Sequence, residues 1–406
     1  MNEGKYKDFL EEAYNNIPAY VCMKKEEDET YPILDRTWLL QNSRSVLSPG
    51  GHALFYQNKL MHGRTSGSTG SYMDIYWKPE DYKKSMLGLW WYRYHYYGIL
   101  PKDKLCYFFT IQTNKDEMEE QNQGENREEI QKETELGFSK SNLTKERIHE
   151  IYEKMREFQP KWLLLQPSIA LLLCECMDYY NLKPLDSVSY IELSGEMLTD
   201  KVRKEISRHF HCAIANQYGA NEFNSIAYEC PYGKLHIMRD NVIVESEILS
   251  GTEEELIVTT KTNTVMPLIR YRIGDYGKVI HQKKKLCPCK NTSPILELTL
   301  GRSNDYIICE NKEKINAYVL IRAMDFVNNY MDGIVKQFQI IQKDYQIFEV
   351  KVVLEEECDT QMLTDLFCGA VLEKRLKEAQ YHFRFYDRLL PEERTGKLAC
   401  FISEKA

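Results

Sequence analysis

Apolar and polar positions change rhythm several times along this chain, and each change predicts a different element. Residues 1–60 are polar and tyrosine-rich and read as a helical lead-in, with a loop around Ser48-Pro49-Gly50-Gly51. Residues 73–77 alternate as a strand does. Residues 81–97 read as a helix carrying Trp90, Trp91, Tyr92, Tyr94, Tyr96 and Tyr97, a stripe expected to pack in the core. Residues 112–147 are charged with little apolar periodicity, which predicts a solvated insertion or a mobile surface helix.

Order returns with residues 162–168, a short buried strand ending in a turn. A helix follows over 169–180, then a strand over 188–193 that stops at Ser194-Gly195-Glu196. Thr199 is placed to cap a helix over 199–210, and residues 213–219 form another strand running into a glycine. This alternation predicts an α/β core with a mostly parallel sheet, in which ligands collect at the carboxyl ends of strands. From about residue 241 strands dominate, and after Arg302 the pattern is that of a small α+β unit with strands near 335–354 and 381–386. The expected fold is therefore α/β. A large N-terminal domain covers residues 1–300, with a β-rich module at about 241–300, and a small mobile C-terminal domain covers 301–406.

Composition narrows the function classes. The 406 residues carry 53 Lys and Arg against 61 Asp and Glu, a formal charge of −8, with no long basic run. A nucleic-acid partner held through phosphates is disfavoured. No stretch approaches the ~18 uninterrupted apolar residues of a spanning helix, so no membrane association is expected. The first twenty residues lack an apolar signal core, and 12 cysteines without one fit a reducing, cytoplasmic setting better than a disulfide framework.

Five punctuated motifs carry the chemistry. Thr65-Ser66-Gly67-Ser68-Thr69-Gly70 puts two glycines and four hydroxyls in one short loop, which suits a polyphosphate and also a flexible connector. Tyr218-Gly219-Ala220-Asn221-Glu222 joins an aromatic face able to stack on a purine to a carboxylate able to hold Mg²⁺. In Arg270-Tyr271-Arg272-Ile273-Gly274-Asp275 the carboxylate past the glycine could accept from two ribose hydroxyls, or pair with Arg272 in a turn. Gly301-Arg302-Ser303-Asn304-Asp305 has the small polar residues of a hinge, and Arg394-Thr395-Gly396-Lys397 sets a lysine behind a glycine turn.

Together and in this order the motifs resemble those of the adenylate-forming superfamily of acyl-CoA synthetases and adenylation domains, most closely its phenylacetate–CoA ligase and coenzyme F390 synthetase-like branch. The resemblance implies an AMP-forming acid ligase. ATP activates a small carboxylic acid, more aromatic than long-chain, and the acyl group passes to CoA. A carrier-protein phosphopantetheine, an amine or a cofactor hydroxyl would be the alternative acceptor, and a non-catalytic nucleotide-binding or assembly protein the alternative class. Residues 65–70 would cradle phosphate. Ser194, Gly195, Glu196, Tyr218, Gly219, Asp275 and Arg302 would contact the nucleotide. Glu222 would hold Mg²⁺, Lys397 would assist adenylation, and Asp305 would be the hinge. Ile273 stands where the family commonly has Thr, and the Lys397 loop lacks the usual proline–arginine junction. The oligomeric state is left open.

A second constellation is Cys230, His236, Cys287 and Cys289. Three thiolates and an imidazole make a closed structural zinc set, with buried unpaired thiols or a redox Cys-x-Cys pair as alternatives. The resemblance favours zinc, because the same branch places Cys and His similarly. Cys174 and Cys176, on a predicted helix, are expected in the core.

Overall fold

Stretches far apart in sequence close on one another to form two compact units, one of residues 1–96 and 217–305, the other of residues 97–216 and 306–406. The computed structural model describes residues 3–21, 23, 31–66, 72–110, 128–249, 253–282, 286–302, 305–391 and 397–405.

The first unit is an antiparallel ladder. Val242–Glu247 pairs with Glu255–Thr260, which pairs with Tyr271–Ile280 and then Ile295–Arg302. Leu235–Ile237, Asn224–Glu229 and residues 217–220 continue the order. Glu255–Thr260 is buried along its whole length, so its one charged residue needs a partner, and Arg272 Nε donates to Glu255 at 2.6 Å. A separate hairpin joins Met61–Ser66 to Tyr72–Trp77, whose inward Met73 and Ile75 enter a core with Phe223, Ile226, Leu256 and Val258. The loop expected at 48–51 is instead the start of the helix Pro49–Tyr56. Ser48 accepts from the Gly51 amide at 3.1 Å and Pro49 takes the first helical position. Two adjacent glycines, poor helix formers, hide that cap in the sequence.

The aromatic helix, Pro79–Tyr97, corrects the expectation of a core stripe. Tyr92 stacks on Tyr228 with ring centroids 5.7 Å apart, but Trp91 and Tyr94 are 53% and 60% exposed. Consecutive rings are spread around a helix, so one buried face cannot take them all.

The second unit holds the parallel strands. Tyr190–Ser194, Trp162–Leu165, Leu105–Phe109 and Glu135–Ser139 lie side by side in parallel, with Glu129–Gln131 antiparallel at the edge. Pro167–Tyr180 is among the helices on this sheet, and Cys174 and Cys176 are buried in it as expected. Thr199 caps Asp200–His209, also as expected. The reading of residues 112–147 as a solvated insertion or surface helix is overturned where the structure describes them. Residues 128–147 contribute two strands and a helix start, and Phe138 is fully buried. A five-residue strand flanked by charge is too short to show a period. Residues 112–127 lie outside the described residues.

The C-terminal part is a four-stranded sheet in the order Gln380–Phe385, Ile347–Leu354, Val335–Asp344, Phe401–Ser403. The central pair is antiparallel and the outer strands join it in parallel. Helices Tyr318–Tyr330 and Thr360–Ala370 pack on it through Leu320, Met324, Leu363 and Phe367. The fold is the α/β class expected, with a large sheet that is mixed rather than mostly parallel. Among the described residues no helix is long and apolar enough to cross a membrane.

Candidate nucleotide site and thiol cluster

In the first unit the purine-type and ribose-type motifs meet. The Tyr218 hydroxyl donates to the Asp275 carboxylate at 2.7 Å across 57 residues of sequence. Tyr218 precedes a register shift in the hairpin formed by Ala213–Ala220 and Asn224–Glu229. A Cβ at Gly219 would lie 2.3 Å from the Asn224 carbonyl oxygen, so only glycine lets the two strands close there. Glu222, buried, occupies the turn of that hairpin. Asp275 stands opposite Arg302 in the ladder, and Gly301 and Arg302 end the strand Ile295–Arg302. Arg272, from the same motif, donates through Nε to the Glu255 carboxylate. Thr65 and Ser66 end the strand Met61–Ser66, opposite Met73 and Tyr72; residues 67–70, like 303 and 304, lie outside the described residues. Asp305 is buried.

In the second unit the strand Tyr190–Ser194 ends at Gly195, whose φ of +85° turns the chain sharply. Glu196 follows, and three donors converge on its carboxylate. The Ser168 amide and hydroxyl donate at 2.9 and 2.8 Å, and the Leu398 amide donates at 2.9 Å. Burial pushes the Glu196 carboxyl above its usual value, against these hydrogen bonds and the charge of Lys140. Lys140 is itself buried, and burial pushes it down to about 8, with Glu196 opposing that shift and Lys397 adding to it. Lys397 is exposed, and its Cε is 3.8 Å from where a Cβ on Gly195 would stand. Residues 392–396 of its loop lie outside the described residues.

The four metal-type residues of the first unit also converge. One ligand atom from each of Cys230, His236, Cys287 and Cys289 lies within 4.8 Å of every other. Cys230 Sγ is 3.7 Å from Cys287 Sγ, and Cys289 Sγ is 3.2 Å from His236 Nε2. Tetrahedral bonds of about 2.3 Å to sulfur imply sulfur–sulfur spacings of about 3.8 Å, so the donor set fits a four-coordinate zinc ion. His236 Nδ1 faces the Ser293 carbonyl at 3.4 Å, which turns the Nε2 lone pair inward. Burial holds the His236 imidazole below its usual pKa, in the neutral form a metal needs. Burial opposes the Cys289 thiolate, yet the Asn291 amide and the neighbouring Cys287, Tyr96 and Cys230 donors bring its pKa below normal.

Residues 307–404 match the CapK C-terminal domain family. Protein CapK of Staphylococcus aureus is 26% identical over 237 residues, 58% of this chain and 51% of that protein. A phenylacetate–coenzyme A ligase of Thermus thermophilus is 24% identical over 229 residues, 52% of this chain and 50% of the ligase. Among solved structures, a 2-hydroxyisobutyryl-CoA ligase in the postadenylation state superposes with a TM-score of 0.68 at 15% identity, covering 99% of this chain and 88% of that one. In sequence the chain is similar to phenylacetate–coenzyme A ligases and to CapK, and in fold to an acyl-CoA ligase. It spans about half the length of the curated relatives it matches.

In the second unit, sequence reasoning missed Ser168, Lys140 and Leu398. Ser168 had a faint signal, because it follows a strand and Pro167 at a helix start, where amides point outward. Lys140 had none: a lysine after a strand reads as a solvated charge until the fold buries it.

Proposed function

We propose that this chain is an AMP-forming acid ligase that activates a small carboxylic acid with ATP and passes the acyl group to CoA. The observation that carries the reading is the Tyr218–Asp275 hydrogen bond, which joins the purine-type and ribose-type motifs into one surface. The family relationship and the order of the remaining motifs support it. In the first half-reaction a carboxylate oxygen attacks the α-phosphorus of ATP, the bond to the bridging oxygen breaks, and pyrophosphate leaves. In the second, a thiolate attacks the acyl carbon and AMP departs with the C–O bonding pair.

The protein's part is positioning and charge. Tyr218 and Gly219 would hold the adenine, Asp275 and Arg302 the ribose, and residues 65–70 the phosphates. Glu222 would hold Mg²⁺, which offsets phosphate charge when bound. Lys397 would meet the charge developing at the α-phosphate, and the module after Asp305 would swing between half-reactions. Cys230, His236, Cys287 and Cys289 would hold a zinc ion that ties two segments of the first unit together. A closed four-ligand set leaves no position for substrate, so its role is structural. An aromatic acid is the first substrate to try, since phenylacetate–coenzyme A ligases are among the relatives.

The test is acid-dependent pyrophosphate release from ATP across aryl, short aliphatic and amino acids, with and without CoA. Release with an acid, and acyl-CoA formation when CoA is added, is the expected outcome. Release that is indifferent to CoA but stimulated by an amine or a carrier protein would move the acceptor. Metal-replete protein that binds ATP and stays silent across the panel would count against the ligase reading.

A further inference from the structure

We propose that Glu196 is a positioning residue that seats the Lys397 loop by its main chain, rather than a ligand of the nucleotide. The role assigned to Lys397 above is the ground on which this rests.

A carboxylate presents about four lone-pair directions. Glu196 spends three of them inside the protein, two on Ser168 and one on the Leu398 amide. A nucleotide phosphate carries the same sign of charge, and a ribose hydroxyl or adenine amine would compete with donors already at 2.8–2.9 Å. Ser168 is buried at the start of Pro167–Tyr180, so Glu196 is itself held by a rigid helix end. What remains for Glu196 to hold is the backbone one residue beyond Lys397.

That attachment is suited to a catalytic loop. It fixes the chain one residue beyond the point where the lysine side chain departs. Lys140 completes the arrangement. Its buried ammonium offsets the Glu196 charge, and Lys397 lies near enough to act on it. The grip is on the main chain, through the Leu398 amide. Glu196 and Leu398 are 202 residues apart, so the contact exists only while the C-terminal module is docked in this orientation.

Glu196→Gln is the decisive variant. It keeps size and shape, but one acceptor oxygen becomes an amide donor that faces another donor. Hydrogen–deuterium exchange at the Leu398 amide should accelerate about tenfold, the factor set by losing one charge-assisted hydrogen bond. The adenylation kcat, read from pyrophosphate release, should fall by a similar factor with the KM for ATP within about twofold, because the nucleotide's own contacts are untouched. Exchange at Leu398 equal to wild type would overturn the proposal, as would a raised KM for ATP at unchanged kcat, the signature of a nucleotide ligand. Should Glu196→Gln fail to fold, Ser168→Ala loosens the same carboxylate more gently and should raise Leu398 exchange about threefold. Glu175→Gln, whose partner is Lys336 at 3.8 Å in the same unit, should leave Leu398 exchange unchanged. Amide exchange is read without turnover, so a wild type silent with every acid would fail the ligase reading while the exchange data still decide the latch.

Discussion

The two units each hold a polar cluster within an apolar framework, and they do so in opposite ways. In the second unit the Glu196 carboxylate is answered from within the chain, by two amides, a hydroxyl and the Lys140 ammonium. In the first, ligand atoms of three cysteines and a histidine lie within 4.8 Å of one another, and as thiolates and a neutral imidazole all four would be acceptors. Gathered acceptors without a cation repel, whereas gathered donors around one acceptor attract. The lesson is that one cluster is satisfied by donors of the chain itself. The other has the donor set of a closed four-coordinate metal site, and its proposed zinc would complete it from outside the polypeptide.

Metal removal is the sharpest way to break that comparison. At metal concentrations about a thousand times Kd, bound zinc would stabilise the chain by about 4 kcal/mol. A strong chelator should lower the thermal midpoint of the wild type and added zinc should restore it, while Cys287→Ser should melt low and ignore both. A wild-type melt indifferent to chelator would end the zinc assignment. Next in size is Lys397→Ala, which should cut acid-dependent pyrophosphate release about 100-fold, as loss of a charge-stabilising donor does. Its thermal midpoint should stay within about a degree, because an exposed side chain contributes little to stability. Less than a threefold loss of activity would remove Lys397 from the chemistry.

The smallest effect concerns another self-answered group in the second unit. Burial alone would lower the His209 pKa, but the Glu205 carbonyl at 3.0 Å and the Asp178 carboxylate at 2.8 Å raise it above its usual value. A raised folded-state pKa gives stabilisation that is full below the unfolded value and is lost as pH rises through the folded one. His209→Gln should therefore cost about 0.5 kcal/mol below pH ~6, a small figure because Asp178 is solvent-screened. The gap from wild type should close at alkaline pH, as denaturant melts at several pH values would show. A gap that widens with pH would mean that His209 acts as a neutral group.

Strands and helices between residues 162 and 220 were legible because each carries its own punctuation: Pro167 at a helix start, Thr199 as a cap, Gly195 at a turn and Gly219 near a strand end. The misreadings have local causes. Residues 48–51 have the composition of a loop, yet Ser48 caps a helix there, since a single side-chain oxygen can outweigh two glycines. Residues 135–139 lie among charges and still form a buried strand, because their neighbours Leu105–Phe109 and Glu129–Gln131 shield them from both sides.

By itself the sequence determined the alternation of elements, the order of the five motifs and the family they point to, because each of these is written in neighbouring residues. Tertiary structure alone decided that Tyr218 bonds to Asp275, that four ligands share one point, and that Glu196 holds Leu398. Hydrogen bonds and coordination depend on distances of about 3 Å between groups tens to hundreds of residues apart. Local propensity carries no information about which of those groups the folded chain brings together.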